Sequence, residues 1–297
     1  MRIGVRNTYI PNHIRLTAAL HFYATGSFLR DIGQDFVCPM SKSTLCLVIK
    51  EVTFIIQDKL MQKYIRFPTS ADEQNIVKQR FFNATGFPGV IGAVDCTHIK
   101  IKKPHIEVEH CYRNRKGYFS KNVQLICDFD LKILGCYARY GGSTHDAFIW
   151  ENSAIKKFLE VNHRQNNDSI WLLGDSGYPL QPWLMTPFRN SENASQRTFN
   201  AKHINARNCI ERLNGVLKKV FACLSFERGL MVSPAYAGSI VNVCCVLHNY
   251  RKNHNLPMPE VQEHQQTETD SSDLYSTISV LNEGRRVRES ITRNYFH

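Results

Sequence analysis

The chain has 297 residues, 43% of them hydrophobic, enough for one or two domains with a sizeable core. Its longest apolar stretch, 239–247, is broken by Asn242 and far short of the roughly 20 residues that cross a bilayer, which argues against a membrane protein. Lys and Arg exceed Asp and Glu by 37 to 26, and residues 255–284 hold six acids with no Lys or Arg, so the basic excess concentrates elsewhere and points to a polyanionic partner.

The first ten residues carry no continuous apolar region and no small-residue cleavage site, so no secretory signal is expected and the chain is expected in the cytosol or nucleus. Ten scattered cysteines without a CxxC pair read as reduced, buried small hydrophobes. Cys245-x-x-His248 has a metal-like spacing but no second half.

Residues 12–66 read as helical. Leu16, Ala19, Leu20 and Tyr23 fall on one face, then Leu29, Ile32 and Phe36, then Leu45, Val48, Val52, Ile55 and Leu60. Ser41 is placed to cap the third helix. The parts match a helix-turn-helix presenting Lys42, Ser43 and Thr44 to DNA, or equally a helical packing module.

From Pro88 the pattern turns to strands. Val90–Val94 ends at Asp95, and Ile99–Lys102 alternates as a second strand. Segments 122–128 and 133–138 suit a hairpin about Phe129–Lys132, giving three strands in antiparallel succession. A helical segment carries Phe148, Ile149, Ile155, Phe158 and Leu159, and the run 170–174 ends at Asp175. Two strands then deliver carboxylates from their C-terminal ends, a site-like arrangement in a mixed α/β sheet. Asn205 to Phe221 is an amphipathic helix with Arg207, Glu211, Asn214 and Lys218 on one polar face. The helix from Pro234 to about Asn253 is nearly all apolar and predicted to be buried, and 260–273 reads as disordered.

Asp95, Asp146, Asp175 and Glu211 thus come from four different elements. Clustered carboxylates need a counter-charge, and a divalent ion with oxygen ligands, Mg2+ or Mn2+, supplies one; solvated surface carboxylates are the alternative. Between the first two acids, Lys100, Lys102, Lys103, Arg113, Arg115, Lys116 and Lys121 interleave with Tyr112, Tyr118 and Phe119, which suits a nucleic-acid surface or a solvated basic loop.

Several blocks carry a resemblance: Gly89–His98, Asn114–Gly117 with Ser120 and Asn122, Gly142–Asp146, Trp171–Pro179, Arg207-x-x-Ile-Glu211-Arg-x-x-Gly215-x-x-Lys218 and Cys244–Asn249. Their order and spacing over about 88–250 are similar to the DDE endonuclease domain of PIF/Harbinger transposases. Leu20–Phe28 and Tyr64–Pro68 resemble the animal Harbinger transposase-derived nucleases.

The resemblance implies an α/β, RNase H-like mixed sheet flanked by helices over 88–254. A small all-α, helix-turn-helix-like domain would precede it over 1–87, and an acidic, disordered linker and tail would follow over 255–297. It implies hydrolysis of DNA phosphodiester bonds by a two-metal-ion mechanism, with Asp95, Asp175 and Glu211 as catalytic acids and Asp146 as a further ligand of Mg2+ or Mn2+. Lys100, Lys102, Lys103, Arg113, Arg115, Lys116, Arg207 and Lys218 are the candidate nucleic-acid contacts. The partners implied are DNA and a Myb-like DNA-binding protein, in the nucleus with a cytoplasmic pool; self-association is left open.

Cys96 stands where many transposases of this group have Gly after the first aspartate, a change that weakens transposition more than cleavage. The short lead into the first helix, where relatives have a longer segment, reads as a truncated N-terminus. A catalytically silent DNA-binding or adaptor protein is the alternative function. A glycosidase, which also uses paired carboxylates, is disfavoured by the basic charge and by only three tryptophans.

Overall fold

The computed structural model describes residues 9–26, 40–166, 169–259 and 277–296. At its centre is a five-stranded mixed sheet in the order β3-β2-β1-β4-β5, formed by Val90–Lys100 (β1), Ser120–Cys127 (β2), Ile133–Gly141 (β3), Trp171–Leu173 (β4) and Leu184–Met185 (β5). β1, β2 and β3 pair antiparallel in succession, as the sequence predicts. β4 lies parallel to β1 and β5 parallel to β4. A parallel return needs a crossover, which the helices α4 (Asp146–Glu151) and α5 (Ala154–Asn166) provide.

Before the sheet come α1 (Asn12–Thr25), α2 (Lys42–Tyr64) and α3 (Ala71–Thr85); after it come α6 (Ala194–Val220), α7 (Pro234–Asn253) and α8 (Ile278–Tyr295). Side chains alternate along each strand and feed two cores. Val90, Ala93, Ile99, Val123, Leu125 and Leu173 pack with α1, α2, α3, α6 and α7, whereas Ile91, Val94, Ile126, Leu134 and Leu172 meet Trp150, Leu159 and Tyr178. Just before β1, Gly89 has φ +71° and a Cβ there would lie 2.3 Å from Trp171 Cζ2, so only glycine lets the Trp171 ring seal the start of the strand.

β1 corrects one expectation. It is continuous where two strands were predicted, so Asp95 sits in mid-strand and not at a C-terminal end. The parallel pairing with β4 stops at Ala93, but the antiparallel pairing with β2 runs on from Ala93 to Lys100. Asp175, two residues beyond β4, does follow a strand end.

In α1 and α2 the predicted helices form and Ala19, Tyr23, Leu45 and Val48 are buried as expected, but the rest of each predicted face is shifted. Ala18, Ala19 and Tyr23 are buried while Leu16, Leu20 and Ile55 are exposed. The small alanines allow close approach, and the Tyr23 hydroxyl is fixed by Thr53 at 2.7 Å, which pins which face turns inward. Ser41 caps α2 as predicted, accepting from the Thr44 amide at 3.2 Å. Leu29, Ile32 and Phe36 lie outside the described residues, so the middle of the helix-turn-helix expectation does too.

The Ser70–Glu73 capping box starts α3, a helix the apolar periodicity did not signal. Asn193 caps α6 through the Gln196 amide at 2.9 Å, which carries that helix eleven residues further upstream than Asn205. The disordered tail expected over 255–297 is corrected at its end: α8 buries Ile291, and Phe296 just beyond it packs 5.3 Å from the Phe87 ring. Arg288 stacks over Phe188 at 3.9 Å and donates to the carbonyls of Thr186 and Pro187. The acids of the preceding segment mask this helix in a composition average; 260–276 lies outside the described residues.

Candidate active site

Asp95 projects from β1 toward α6, where Asn214 Nδ2 donates to Asp95 Oδ2 at 3.0 Å. One turn further along α6, Lys218 Nζ donates to Thr97 Oγ1 at 2.6 Å. In the other direction along α6, Arg207 pairs with Glu211. Positions 207, 211, 214 and 218 recur every three or four residues, so the polar face read from the sequence is one face in the structure and lies over β1.

Cys96 points to the opposite side of β1. It receives the Tyr178 hydroxyl at 3.3 Å and its thiol donates to Asp146, the first residue of α4. Asn122 on β2 holds Asp146 from Nδ2 at 2.7 Å and the Thr144 carbonyl at 2.9 Å. Asp175 accepts the Gly177 amide on Oδ1 at 2.9 Å.

These acids act on one another. Asp95 is pushed up to about 8, first by loss of water around it, then by the charges of Asp175 and Asp146, against the pull of Arg207. Asp146 is raised by burial and by Asp175, against the Asn122 amide. For Arg207, burial acts to lower the pKa, but the charges of Asp95, Glu211 and Asp175 outweigh it and the guanidinium is held above its ordinary value. Burial lowers Lys218, with Asp95 opposing and Lys116 adding to the shift.

The charges of Asp95, Asp146 and Asp175 therefore bear on one another, while Glu211 is paired with Arg207. Among the described residues no group of three or more His, Cys, Asp or Glu side chains forms a ready-made metal cage. The donor chemistry nevertheless fits a hard divalent cation: carboxylate oxygens that raise one another's proton affinity gain from a shared positive charge. Cys245-x-x-His248 holds no metal geometry. Cys245 Sγ contacts Cys136 Sγ at 3.6 Å, and His248 Nε2 bonds the Leu131 carbonyl at 2.7 Å.

The candidate nucleic-acid contacts divide. Lys102, Arg113 and Lys116 are exposed, as are Lys103, paired with Glu109 at 2.8 Å, and Arg115, 2.7 Å from His145 Nδ1. Lys100 Nζ lies 4.4 Å from the centroid of Phe226. Arg207 and Lys218 are drawn into the acid cluster and away from the outer surface. Tyr118 meets Phe226 edge-on at 5.1 Å, and Phe226 is 54% exposed. Sequence reading missed Phe226, which lies far along the chain from the basic loop, and missed Asn122 and Tyr178 as supports of Asp146 and Cys96. A strand asparagine in a resemblance block was the available signal for Asn122.

A family model described as DDE superfamily endonuclease matches residues 94–249. The chain is 31% identical to "Putative nuclease HARBI1" of Homo sapiens over 98% of this chain and 82% of the human protein. It is 33% identical to the Xenopus laevis protein of the same name, over 84% of this chain and 71% of that one. To "Protein ALP1-like" of Arabidopsis thaliana it is 28% identical, over 79% of this chain and 59% of the plant protein. No solved structure matches at a significant level.

Proposed function

The chain belongs to the DDE superfamily endonucleases, in their Harbinger transposase-derived branch, and from that premise we propose that it is a divalent-metal-dependent nuclease acting on DNA. The observation that carries this reading is that Asp95, Asp146 and Asp175, carboxylates delivered by three different elements, lie near enough for their charges to raise one another's proton affinity. In this reading Asp95 and Asp175 hold Mg2+ or Mn2+, with Asp146 and Glu211 completing the oxygen donors. The bound ions supply charge neutralisation and activation of water for attack on a phosphodiester.

The protein's own groups do the positioning. Asn214 fixes one oxygen of Asp95, Asn122 fixes one of Asp146, and the Gly177 amide fixes one of Asp175. Lys100, Lys102, Lys103, Arg113, Arg115 and Lys116 supply positive charge for the phosphate backbone. Two such divalent ions, if bound, would supply the charge that hydrolysis of a phosphodiester by a two-metal mechanism requires.

The test is nicking of supercoiled plasmid during titration with Mn2+ and Mg2+, with Asp95→Ala and Asp175→Ala beside the parent. Metal-dependent nicking lost in both variants supports the reading; nicking retained in either sinks the site assignment.

A second reading, a catalytically silent DNA-binding or adaptor protein, draws on the lack of a ready-made metal cage among the described residues. It predicts salt-sensitive DNA binding with no metal requirement. In either reading we place the protein in the nucleus with a cytoplasmic pool, working with a Myb-like partner that supplies DNA targeting. No helix of the described residues is long and apolar enough to cross a membrane.

A further inference from the structure

Arg207 does not sit where a phosphate-binding side chain would be expected. Its side chain is only 14% exposed and its guanidinium is engaged by Glu211 on the next turn of α6. The charges of Asp95, Asp175 and Glu211 all bear on it. A buried guanidinium persists only where carboxylates answer it, and these carboxylates are the ones the proposed metal needs. Two cations cannot share that space without strong repulsion.

We infer that the Arg207 guanidinium is the resident counter-charge of the acid cluster, displaced when a divalent ion enters, so that Arg207 sets the metal affinity of the site. The inference rests on the metal-dependent reading above. In this inference Glu211 is held toward Arg207 until the guanidinium leaves. The long, flexible arginine stem allows the head group to withdraw while its methylenes stay packed. Arg207 is then a positioning residue, acting through Glu211 and Asp95.

The alternative role, in which Arg207 merely orients Glu211 for the metal, predicts the opposite sign. Neutralising an orienting group weakens metal binding, whereas neutralising a competitor strengthens it. Mn2+ affinity is measured by calorimetry on the DNA-free chain, for the parent, Arg207→Gln and Arg207→Lys. Displacement predicts an affinity at least about tenfold tighter in Arg207→Gln, and close to the parent in Arg207→Lys, which keeps the charge. It also predicts that Arg207→Gln melts below the parent in a chelator and gains more in melting temperature from Mn2+ than the parent does.

Equal or weaker Mn2+ affinity in Arg207→Gln overturns the inference while leaving the metal reading intact. Absence of Mn2+ binding in both parent and variant overturns the two together. If Arg207→Gln does not fold in a chelator, displacement requires Mn2+ to restore its native circular dichroism where Na+ does not; failure of that rescue also overturns it.

Discussion

Asn214 and Asp95, 119 residues apart in the chain, meet at 3.0 Å in a hydrogen bond that ties the C-terminal third of α6 to the middle of β1. The amide nitrogen donates to one carboxylate oxygen, and the amide oxygen is buried without a partner. The geometry serves orientation of Asp95 more than stability, since the fold leaves half of the amide unsatisfied. Asn214→Ala is therefore expected to cut metal-dependent nicking by about 10- to 100-fold, the usual cost of losing a group that orients a ligand. Its unfolding free energy in urea should change by only about 1 kcal/mol. Full nicking activity in this variant would show that the bond has no part in positioning Asp95.

The turn that delivers Asp146 depends on a close backbone approach. A Cβ on Gly142 would lie 2.1 Å from Ser120 Oγ and 2.8 Å from the Tyr112 carbonyl oxygen. Ser120 Oγ has little freedom to retreat, because it accepts the Asn114 amide at 3.0 Å and lies 3.0 Å from His98 Nδ1. Gly142→Ala should cost about 1–3 kcal/mol in urea unfolding as an overpacked site and should lower nicking through Asp146. A variant as stable as the parent would mean that the Ser120 network yields easily.

The polar face of α6 was legible in the sequence because helical periodicity is local: 207, 211, 214 and 218 must share a face wherever the helix goes. The hairpin of β2 and β3 was legible for the same reason. Asp95 in mid-strand was not, because the length of β1 is set by its pairing with β2, a partner that begins twenty residues after β1 ends. Leu16 and Leu20 misled for a related reason. Tertiary contact through Tyr23 and Thr53 chose the face of α1, where alanines approach more closely than leucines can. Phe226 escaped notice because nothing local links it to Tyr118; they meet only through the pairing of Leu230 with the end of β1.

Two buried histidines give the fold an acid limit. His203 Nε2 bonds the Met185 carbonyl at 3.0 Å and His248 Nε2 the Leu131 carbonyl at 2.7 Å, and both Nδ1 atoms are buried without a partner. Burial lowers their pKa to about 3 and about 4. Both are neutral in the fold but take up a proton in the unfolded chain below about 6.5, so their contribution is complete above that pH and is lost as pH falls toward 4 and 3. Each can cost up to about 1.4 kcal/mol per pH unit. Asp95, raised to about 8, acts with the opposite sign between about 4 and 8, so the measurement belongs in an Asp95→Asn background. Urea unfolding from pH 7 to pH 4 should show stability falling, and His248→Gln, which keeps a donor for Leu131, should reduce that slope. An unchanged slope in His248→Gln would rule His248 out as a source.

The basic loop and the aromatic pair beside it should contribute to DNA binding by separable routes. Lys116 is exposed and offers a charge, whereas Phe226 offers a ring that stays 54% exposed even with Lys100 and Tyr118 against it. Charges release counterions and steepen the salt dependence of binding; a ring stacks on a base and does not. In an Asp95→Ala background without metal, where cutting cannot interfere, Lys116→Ala should reduce the slope of log affinity against log salt by about 1. Phe226→Ala should leave that slope unchanged yet weaken single-stranded DNA binding by about 1–3 kcal/mol if a base stacks there. Duplex DNA, whose bases are already stacked, should be affected less. Equal losses on both substrates would assign Phe226 to the packing of the 225–230 segment against β1, and the contact with DNA would then be electrostatic alone.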